Sequence, residues 1–383
     1  MDPLEANAAH ENTLDRLKTL AATWSAMPFD GHLVLGHPTE GGLILLNPSA
    51  RLLWERLRRH DVAASELASD ADVDALINAF RGAGLLDELP APTPAPSAAE
   101  TPPALAATEI CLDAVYACGP RPIRVRCTDP HLSELLAAVL APCYATAIPH
   151  GEFLIIGGSS GITLYEDGIL ARRGLTLAHA RNAVLNRMIR LGRPEQRFTT
   201  ILHGAAVADG DRCLVLLGGG GSGKSTLAAA LIAEGWRLVS DDLIPLEART
   251  GHVWSVPYAL SVKKGSWPLL SASFPALRTA PTHRFGARCI RYLGAVPRPP
   301  LFSGCPVTAL LFVRYAADAP AGAVRLRPVA ALAELTTSLS AIPVAPDDRI
   351  DLLRWLETRP AWRLSYSSWA EAIMLVRQAL ADT

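Results

Sequence analysis

Lysine is almost missing from this chain. Of 36 basic residues only four are lysine, Lys18, Lys224, Lys263 and Lys264, and arginine fills every other basic position. A chain that spends arginine on general surface charge keeps lysine where a compact ammonium is wanted, which singles out Lys224 and the pair Lys263 and Lys264. An excess of either charge is missing too: 36 basic residues face 37 acidic ones, well mixed, for a formal net charge of −1. That leaves no electrostatic footprint for nucleic acid or an anionic membrane. No apolar run approaches the roughly 18 residues of a membrane span. Residues 1–18 carry Asp2, Glu5, Glu11 and Asp15 where a signal peptide needs a basic start and an apolar stretch. The expectation is a cytoplasmic protein without nucleic-acid or membrane partners. Seven cysteines, Cys111, Cys118, Cys127, Cys143, Cys213, Cys289 and Cys305, form no C-x-x-C pair, which points to buried, reduced thiols rather than metal or redox chemistry.

What the chain does have is concentrated in one place. Residues 218–225 read Gly-Gly-Gly-Gly-Ser-Gly-Lys-Ser, a full match to G-x-x-x-x-G-K-[ST], preceded by the apolar run 213–217 and followed by a helix-like stretch, 226–234. Glycines let the backbone curl so that successive N–H groups point at phosphate oxygens, a lysine reaches the β- and γ-phosphates, and the hydroxyl holds Mg²⁺. Gly218, Gly219, Gly220, Gly221, Ser222, Gly223, Lys224, Ser225 and Thr226 are therefore the expected nucleotide-binding residues, with ATP and Mg²⁺ as cofactors.

The flanks carry the rest of the chemistry. Two predicted strands, 202–207 and 213–217, flank Asp209-Gly210, a hairpin signal; pairing Val207 with Cys213 puts His203 opposite Leu217, beside the mouth of the cradle. After the cradle helix, Gly235 ends a turn and a strand over 236–240 leads into Asp241 and Asp242. Carboxyl ends of strands share the ligand-binding rim of an open α/β sheet, so both aspartates are expected to face the γ-phosphate. Phosphoryl transfer needs charge neutralisation, an in-line nucleophile and a proton acceptor. We assign Asp242 with Ser225 to the metal, Asp241 to the base, and His203 to orienting the acidic pair or the acceptor.

With 383 residues, half of them hydrophobic, the chain can hold two or three domains. Proline at 90, 92, 94, 96, 102 and 103 marks a semi-rigid linker over 90–106. It separates a polar segment, 1–23, and a small domain, 24–89, from a larger domain, 107–383. In the small domain short strands at 33–35 and 43–46 precede a helix from Asn47-Pro48-Ser49 carrying Leu52, Leu53, Trp54 and Leu57, then helices at 62–67 and 73–80. This is a winged-helix-like α+β pattern. In the larger one strands at 123–127 and 153–156, helices at 131–140 and 175–191, and a strand and helix over 362–381 accompany the cradle.

Two resemblances follow. Residues 24–89, through Leu45-Leu46-Asn47-Pro48-Ser49-Ala50-xx-Leu53-Trp54 and Phe80-xxx-Gly84-Leu85-Leu86, resemble the PqqD-like recognition elements of ribosomal peptide-modification systems. That implies capture of a precursor peptide's leader as an added strand on Gly42, Leu43, Ile44, Leu45 and Leu46, with residues 72–85 closing the groove. A structural cap and a DNA reader are the other readings, and Asp72 and Asp74 against Arg81 alone disfavour DNA. His203-Gly204, the cradle, and Gly235-x-Arg237-Leu238-Val239-Ser240-Asp241-Asp242 resemble the HPr serine kinase/phosphorylase family, more closely its stand-alone HPr-kinase-related branch. Pro257-x-x-Leu260-Ser261-Val262-Lys263 and Pro306-Val307-xxx-Leu311-Phe312-x-Arg314-Tyr315 fit as well.

The fold thus implied is an α/β P-loop kinase domain, HPr kinase-like, with His203, Lys224, Ser225, Asp241 and Asp242 as site residues. Bifunctional members have Glu after the cradle serine, where this chain has Thr226, and their downstream Gly-rich dephosphorylation signature is missing, so kinase-only chemistry is expected. Those members form hexamers, which leaves homo-oligomerisation open. The functional expectation is an ATP-dependent serine/threonine kinase acting on a ribosomally made precursor peptide of the lasso-peptide type. The alternatives are a small-metabolite kinase and a nucleotide-gated peptide-binding protein.

Overall fold

Pro28 lies inside a strand. In the computed structural model Ser25–Phe29 (β1) pairs antiparallel with His32–Gly36 (β2), which pairs in turn with Leu43–Leu46 (β3). Proline is tolerated there because β1 is an edge strand. The two expected strands are thus part of a three-stranded sheet whose first member the proline disguised. The structure describes residues 14–15, 17–36, 43–46, 48–59, 101–300, 302–318, 320–336, 343 and 345–383. Gly42, the expected helices at 62–67 and 73–80, and linker residues 90–100 lie outside these.

Helix α1, Pro48–Arg58, buries Leu53, Trp54 and Leu57 against Leu33, Leu35 and Leu46. Leu52, on the same helix, is 64% exposed. Two compact units divide the chain, residues 1–95 with 342–357 and residues 96–341 with 358–383. The expected larger domain is therefore interrupted by the helix Pro346–Glu357. That helix buries Arg349 together with Leu352, Leu353, Trp355 and Leu356; Arg349 donates to Ser25 Oγ at 3.1 Å and to Pro343 O at 2.8 Å. It fills the space beside Gly36, where a Cβ would lie 2.3 Å from Arg349 Nη1.

The second unit is mixed α/β. Its first sheet has six strands, β4 (Leu112–Tyr116), β5 (Ile123–Cys127), β6 (Tyr144–Ala145), β7 (Gly151–Gly158), β8 (Gly161–Glu166) and β9 (Ile169–Leu175), in the order β6-β4-β5-β7-β8-β9. Helices α2 (Pro130–Leu140) and α3 (Leu177–Gly192) pack into the same core; Asp129 Oδ1 caps the first and Thr176 Oγ1 the second.

The next sheet has nine strands. Its main path is β10 (Phe198–Leu202), β14 (Ile244–Glu247), β15 (His252–Trp254), β19 (Gly304–Tyr315), β12 (Arg212–Leu217), β11 (Ala205–Asp209) and β13 (Arg237–Asp241), with β21 (Ala361–Tyr366) beside β19 and β20 (Gly322–Leu326) beside β21. Leu214 and Leu216 alternate onto the face that packs against Leu227, Ala228 and Leu231 of α4, Lys224–Ala233, and Leu375 and Val376 of α5, Trp369–Ala381. A three-stranded sheet, β16 (Leu260–Lys263), β18 (Arg288–Leu293) and β17 (His283–Phe285), completes the unit.

Two expectations change here. The strand expected over 202–207 is broken at His203 and Gly204, because Gly204 passes so close to β12 that a Cβ would lie 2.4 Å from Leu216 O. The hairpin register moves by one, with Val207 opposite Leu214 and Ala208 opposite Cys213. Gly210 and Asp211 form its two-residue loop, with φ +58 at Gly210, the geometry of a turn whose first central residue is glycine. All seven cysteines are free; Cys111 is exposed and Cys289 partly so, while the others are buried as expected.

Gly204→Ala is expected to cost about 1–3 kcal/mol, the scale of a forced backbone displacement in a packed interior. Gly219→Ala, at a site with nothing within 4 Å of its Cβ position, should stay within about 0.5 kcal/mol of wild type. Urea denaturation of the two variants checks the contrast.

Candidate functional site

β12, β19, β21 and β13 run in one direction, since β12 pairs parallel with β19, β19 parallel with β21, and β11 lies antiparallel between β12 and β13. Their carboxyl ends, Leu217, Tyr315, Tyr366 and Asp241, share one rim. The glycine loop leaves β12 on that rim and enters α4 at Lys224. Gly218, Gly221 and Gly223 have φ of +137, +89 and +97, a conformation open to glycine alone without strain. Gly218 and Gly223 are also needed sterically: a Cβ would lie 2.8 Å from Val313 O at the first and 2.8 Å from Tyr366 Oη at the second. At Gly219 and Gly221 the Cβ position faces open space.

The lysine closes the loop. Lys224, 8% exposed, donates from Nζ to Gly218 O at 2.8 Å and Gly219 O at 2.9 Å. Burial pushes its pKa down, and Lys263 and Arg288 push the same way, against the attraction of Asp241 and Asp242. Ser222 Oγ and Tyr366 Oη are buried beside the loop and have no hydrogen-bond partner among the described residues. Thr226 Oγ1 shares a hydrogen with Ser266 Oγ at 2.7 Å.

A β-bulge aims the first aspartate. Ala205 and Val207, two apart on β11, face Asp241 and Leu238, three apart on β13. The extra residue turns Asp241 onto the same face as Leu238, toward the start of α4. There its Oδ1 accepts from Ser225 Oγ at 3.0 Å, and its Oδ2 accepts from Ser261 N and Ser261 Oγ, both at 2.8 Å. Asp241 is 1% exposed; burial, then the neighbouring Asp242 charge, raise its pKa against the pull of the two serines.

Asp242 leaves the strand at φ +71, and Leu243 N donates to Asp241 O at 2.9 Å, closing a three-residue turn around it. A γ-turn with positive central φ is the rare, strained kind. It sends the second carboxylate away from the first. Asp242 Oδ2 meets Arg181 Nη1 at 3.1 Å, and Oδ1 meets His203 Nδ1 at 3.1 Å. Burial works to raise this carboxyl, but the His203 hydrogen bond and the Arg181 charge override it and hold it well below the usual carboxylate range. The Asp242 side chain remains 27% exposed and that of His203 42%.

The expected site residues His203, Lys224, Ser225, Asp241 and Asp242 therefore lie together, but the pairing differs from the sequence assignment. Ser225 is bonded to Asp241 rather than to Asp242, because the bulge turns the strand's last residue inward and the γ-turn takes the next one out. The donors at Ser225 and Asp241 are all hard oxygens, which suits Mg²⁺. Among the described residues no group of three or more His, Cys, Asp or Glu side chains could hold a metal ion, so a metal here would draw its remaining ligands from phosphate and water. Residues missed from sequence are Arg181, on a helix 60 positions upstream, and Ser261. Ser261 stood within a quoted motif without a role, and nothing in the sequence around Arg181 marks it.

Of the peptide-binding candidates, Leu43, Ile44, Leu45 and Leu46 form β3, paired on one side with β2; Leu45 is 39% exposed. A separate cleft of about 360 Å³ lies at the other end of β12, lined by Asp209, Arg212, Glu234 and Arg377. Its charges pair off as Arg212–Asp209 and Arg377–Glu234, leaving nothing aimed at a ligand. No helix among the described residues is long and apolar enough to cross a membrane. No known family model matches the chain, and no curated protein matches it.

Arg181→Met is expected to destabilise the metal-free protein by up to about 3–5 kcal/mol, the scale for removing one partner of a buried ion pair. Asp242 has a depressed folded pKa, so its pairing stabilises fully above the unfolded value of about 3.9 and fades as pH falls through the folded one. The stability gap between wild type and variant should be constant from about pH 8 to 6 and narrow on acidification. Urea titrations at stepped pH would contradict the pairing if the gap widened in acid.

Proposed function

We propose that this protein is an ATP-dependent serine/threonine kinase, acting in the cytoplasm on a ribosomally made precursor peptide. The observation that carries the reading is the hydrogen bond from Ser225, first turn of the helix after the glycine loop, to Asp241 at the end of β13, which runs parallel to β12 with β11 between them. It joins a phosphate-cradling motif to a carboxylate in the arrangement that serves Mg²⁺ in P-loop nucleotide-binding proteins. The resemblance to the HPr-kinase-related branch agrees with it.

The roles follow from access. Backbone N–H groups of residues 219–226 would cradle the phosphates, and Lys224 would exchange its two carbonyl acceptors for β- and γ-phosphate oxygens. Ser225 Oγ and Asp241 would hold Mg²⁺, which neutralises charge on the phosphates. Asp241, 1% exposed and tied through Oδ2 to Ser261, could give up its Oδ1 bond to Ser225 for the metal on Ser225's side, which leaves no oxygen for a substrate hydroxyl. Asp242 is reachable, and His203 and Arg181 hold it in place. In transfer, the bond from acceptor oxygen to γ-phosphorus forms, the bond to the β,γ-bridging oxygen breaks, ADP leaves with that electron pair, and the acceptor proton passes to Asp242. A weakly basic carboxylate suffices because the proton leaves late in a loose transition state.

For the peptide, the edge of β3 that no strand among the described residues pairs suits an added strand. A bound leader would raise the local concentration of the acceptor residue, so the site itself need read little sequence. A small-metabolite acceptor and nucleotide-gated peptide binding are the competing readings, and mass spectrometry of the precursor with enzyme and Mg-ATP separates them. One added phosphoryl group on serine or threonine supports the kinase; an unmodified peptide with ATP bound overturns it.

Two expectations sharpen the test. Asp242→Asn should lower kcat at least about a hundredfold while leaving Mg-ATP affinity near wild type, and Asp241→Asn should raise the Mg²⁺ requirement as well as lowering kcat. Leu45→Pro, with circular dichroism showing the protein still folded, should raise KM for full-length precursor about tenfold to a thousandfold, within the range of effective-concentration gains, and leave turnover of a leaderless peptide unchanged.

A further inference from the structure

Beside the candidate site stands a small sheet whose residues alternate with a purpose. β16 and β18 pair so that Ser261 faces Tyr292 and Lys263 faces Ile290. With a period of two, Ser261 and Lys263 on one strand and Arg288, Ile290 and Tyr292 on the other share one face. Ser261 on that face donates twice to Asp241. Tyr292 on the same face lies close enough to Arg181 for each to shift the other's ionisation. The face is therefore a wall of the site, and Lys263 and Arg288 belong to it.

Arg288 sits where β17 turns into β18. The loop is Gly286 and Ala287, with φ +61 at Gly286, and Phe285 and Arg288 pair across it. This two-residue turn fixes the arginine on a short, rigid hairpin. Its tip touches both halves of the site: the Arg181 guanidinium lies 5.5 Å from the Phe285 ring centre, and a Cβ at Gly220 would lie 3.7 Å from Arg288 Nη2. Neither Arg288 nor Lys263 has a carboxylate or carbonyl partner among the described residues. Both act unfavourably on the charge of Lys224, against the attraction of Asp241 and Asp242, and those two carboxylates are already engaged by Ser225, Ser261, Arg181 and His203, so three cations converge on one glycine loop.

We propose that Arg288 is an arginine finger supplied by the chain itself, touching the γ-phosphate from the hairpin tip, with Lys263 as a second cation beside the same phosphate group. The inference rests on the kinase reading above. Convergence of like charge costs energy until a polyanion fills the space, and a planar guanidinium beside Gly220 of the loop would meet the charge that spreads over the transferring phosphoryl oxygens. Such a residue is worth more in the transition state than in the ground state. ADP, lacking the γ-phosphate, should be indifferent to it.

The test compares wild type, Arg288→Ala and Arg288→Lys by steady-state kinetics with precursor peptide, and by calorimetric binding of Mg-ADP with and without aluminium fluoride. Arg288→Ala should lose at least about a hundredfold in kcat. It should keep its Mg-ADP affinity within about twofold and lose the tightening that aluminium fluoride gives to wild type. Arg288→Lys should recover part of the rate. Unchanged kcat and unchanged aluminium fluoride tightening in Arg288→Ala would overturn the finger and leave the kinase reading standing. Equal loss of Mg-ADP affinity and rate would overturn it in favour of a ground-state binding role. Wild type that binds no Mg-ADP would overturn both readings together.

Discussion

A single buried carboxylate organises this site. Asp241 is taken out of water at the end of a strand, which is costly for a charge, and three hydrogen-bond donors from two other elements are arranged to receive it. One donor ties it to the first turn of α4, fixing the glycine loop against β13. The other two tie it to β16, fixing the small sheet that carries Lys263 and, on the neighbouring strand, Arg288. Remove that carboxylate and the loop, the central sheet and the wall lose their common point. Its neighbour is held apart by the opposite device, a strained backbone turn that points Asp242 at Arg181 and His203. Two adjacent acids thus occupy separate environments, one with a raised and one with a lowered pKa, which is how acid pairs divide their work.

The sequence disclosed the loop and the neighbourhood and left the details of aim to the structure. Residues 218–225 are legible because a glycine-rich motif marks positions where no other residue fits, and Gly218 and Gly223 are such positions by both φ and contact. Strand ends were legible from apolar runs, which brought Asp241, Asp242 and His203 to the right rim. Which aspartate faces Ser225 was not, because the bulge between Leu238 and Asp241 and the γ-turn at Asp242 leave no trace in hydrophobic periodicity. Arg181 was invisible for a different reason: an arginine on an amphipathic helix reads as surface until the fold buries it.

The small unit shows the same division. Apolar spacing located β2, β3 and α1, while Pro28 concealed β1. The helix Pro346–Glu357 could not be placed with this unit by any local signal, since a contact such as that of buried Arg349 with the space beside Gly36 joins positions about 300 residues apart. Long-range fits of that kind are fixed by volume, not by pattern.

The most direct test of the central claim is a crystal structure of the protein with Mg²⁺ and a non-hydrolysable ATP analogue. The account predicts the triphosphate in the loop 218–225, the metal between Ser225 Oγ and Asp241, Lys224 Nζ moved from the Gly218 and Gly219 carbonyls onto phosphate, and Asp242 left free of the metal beside His203. A metal bound by Asp242 with Asp241 uninvolved, or a loop that takes no nucleotide, would contradict it.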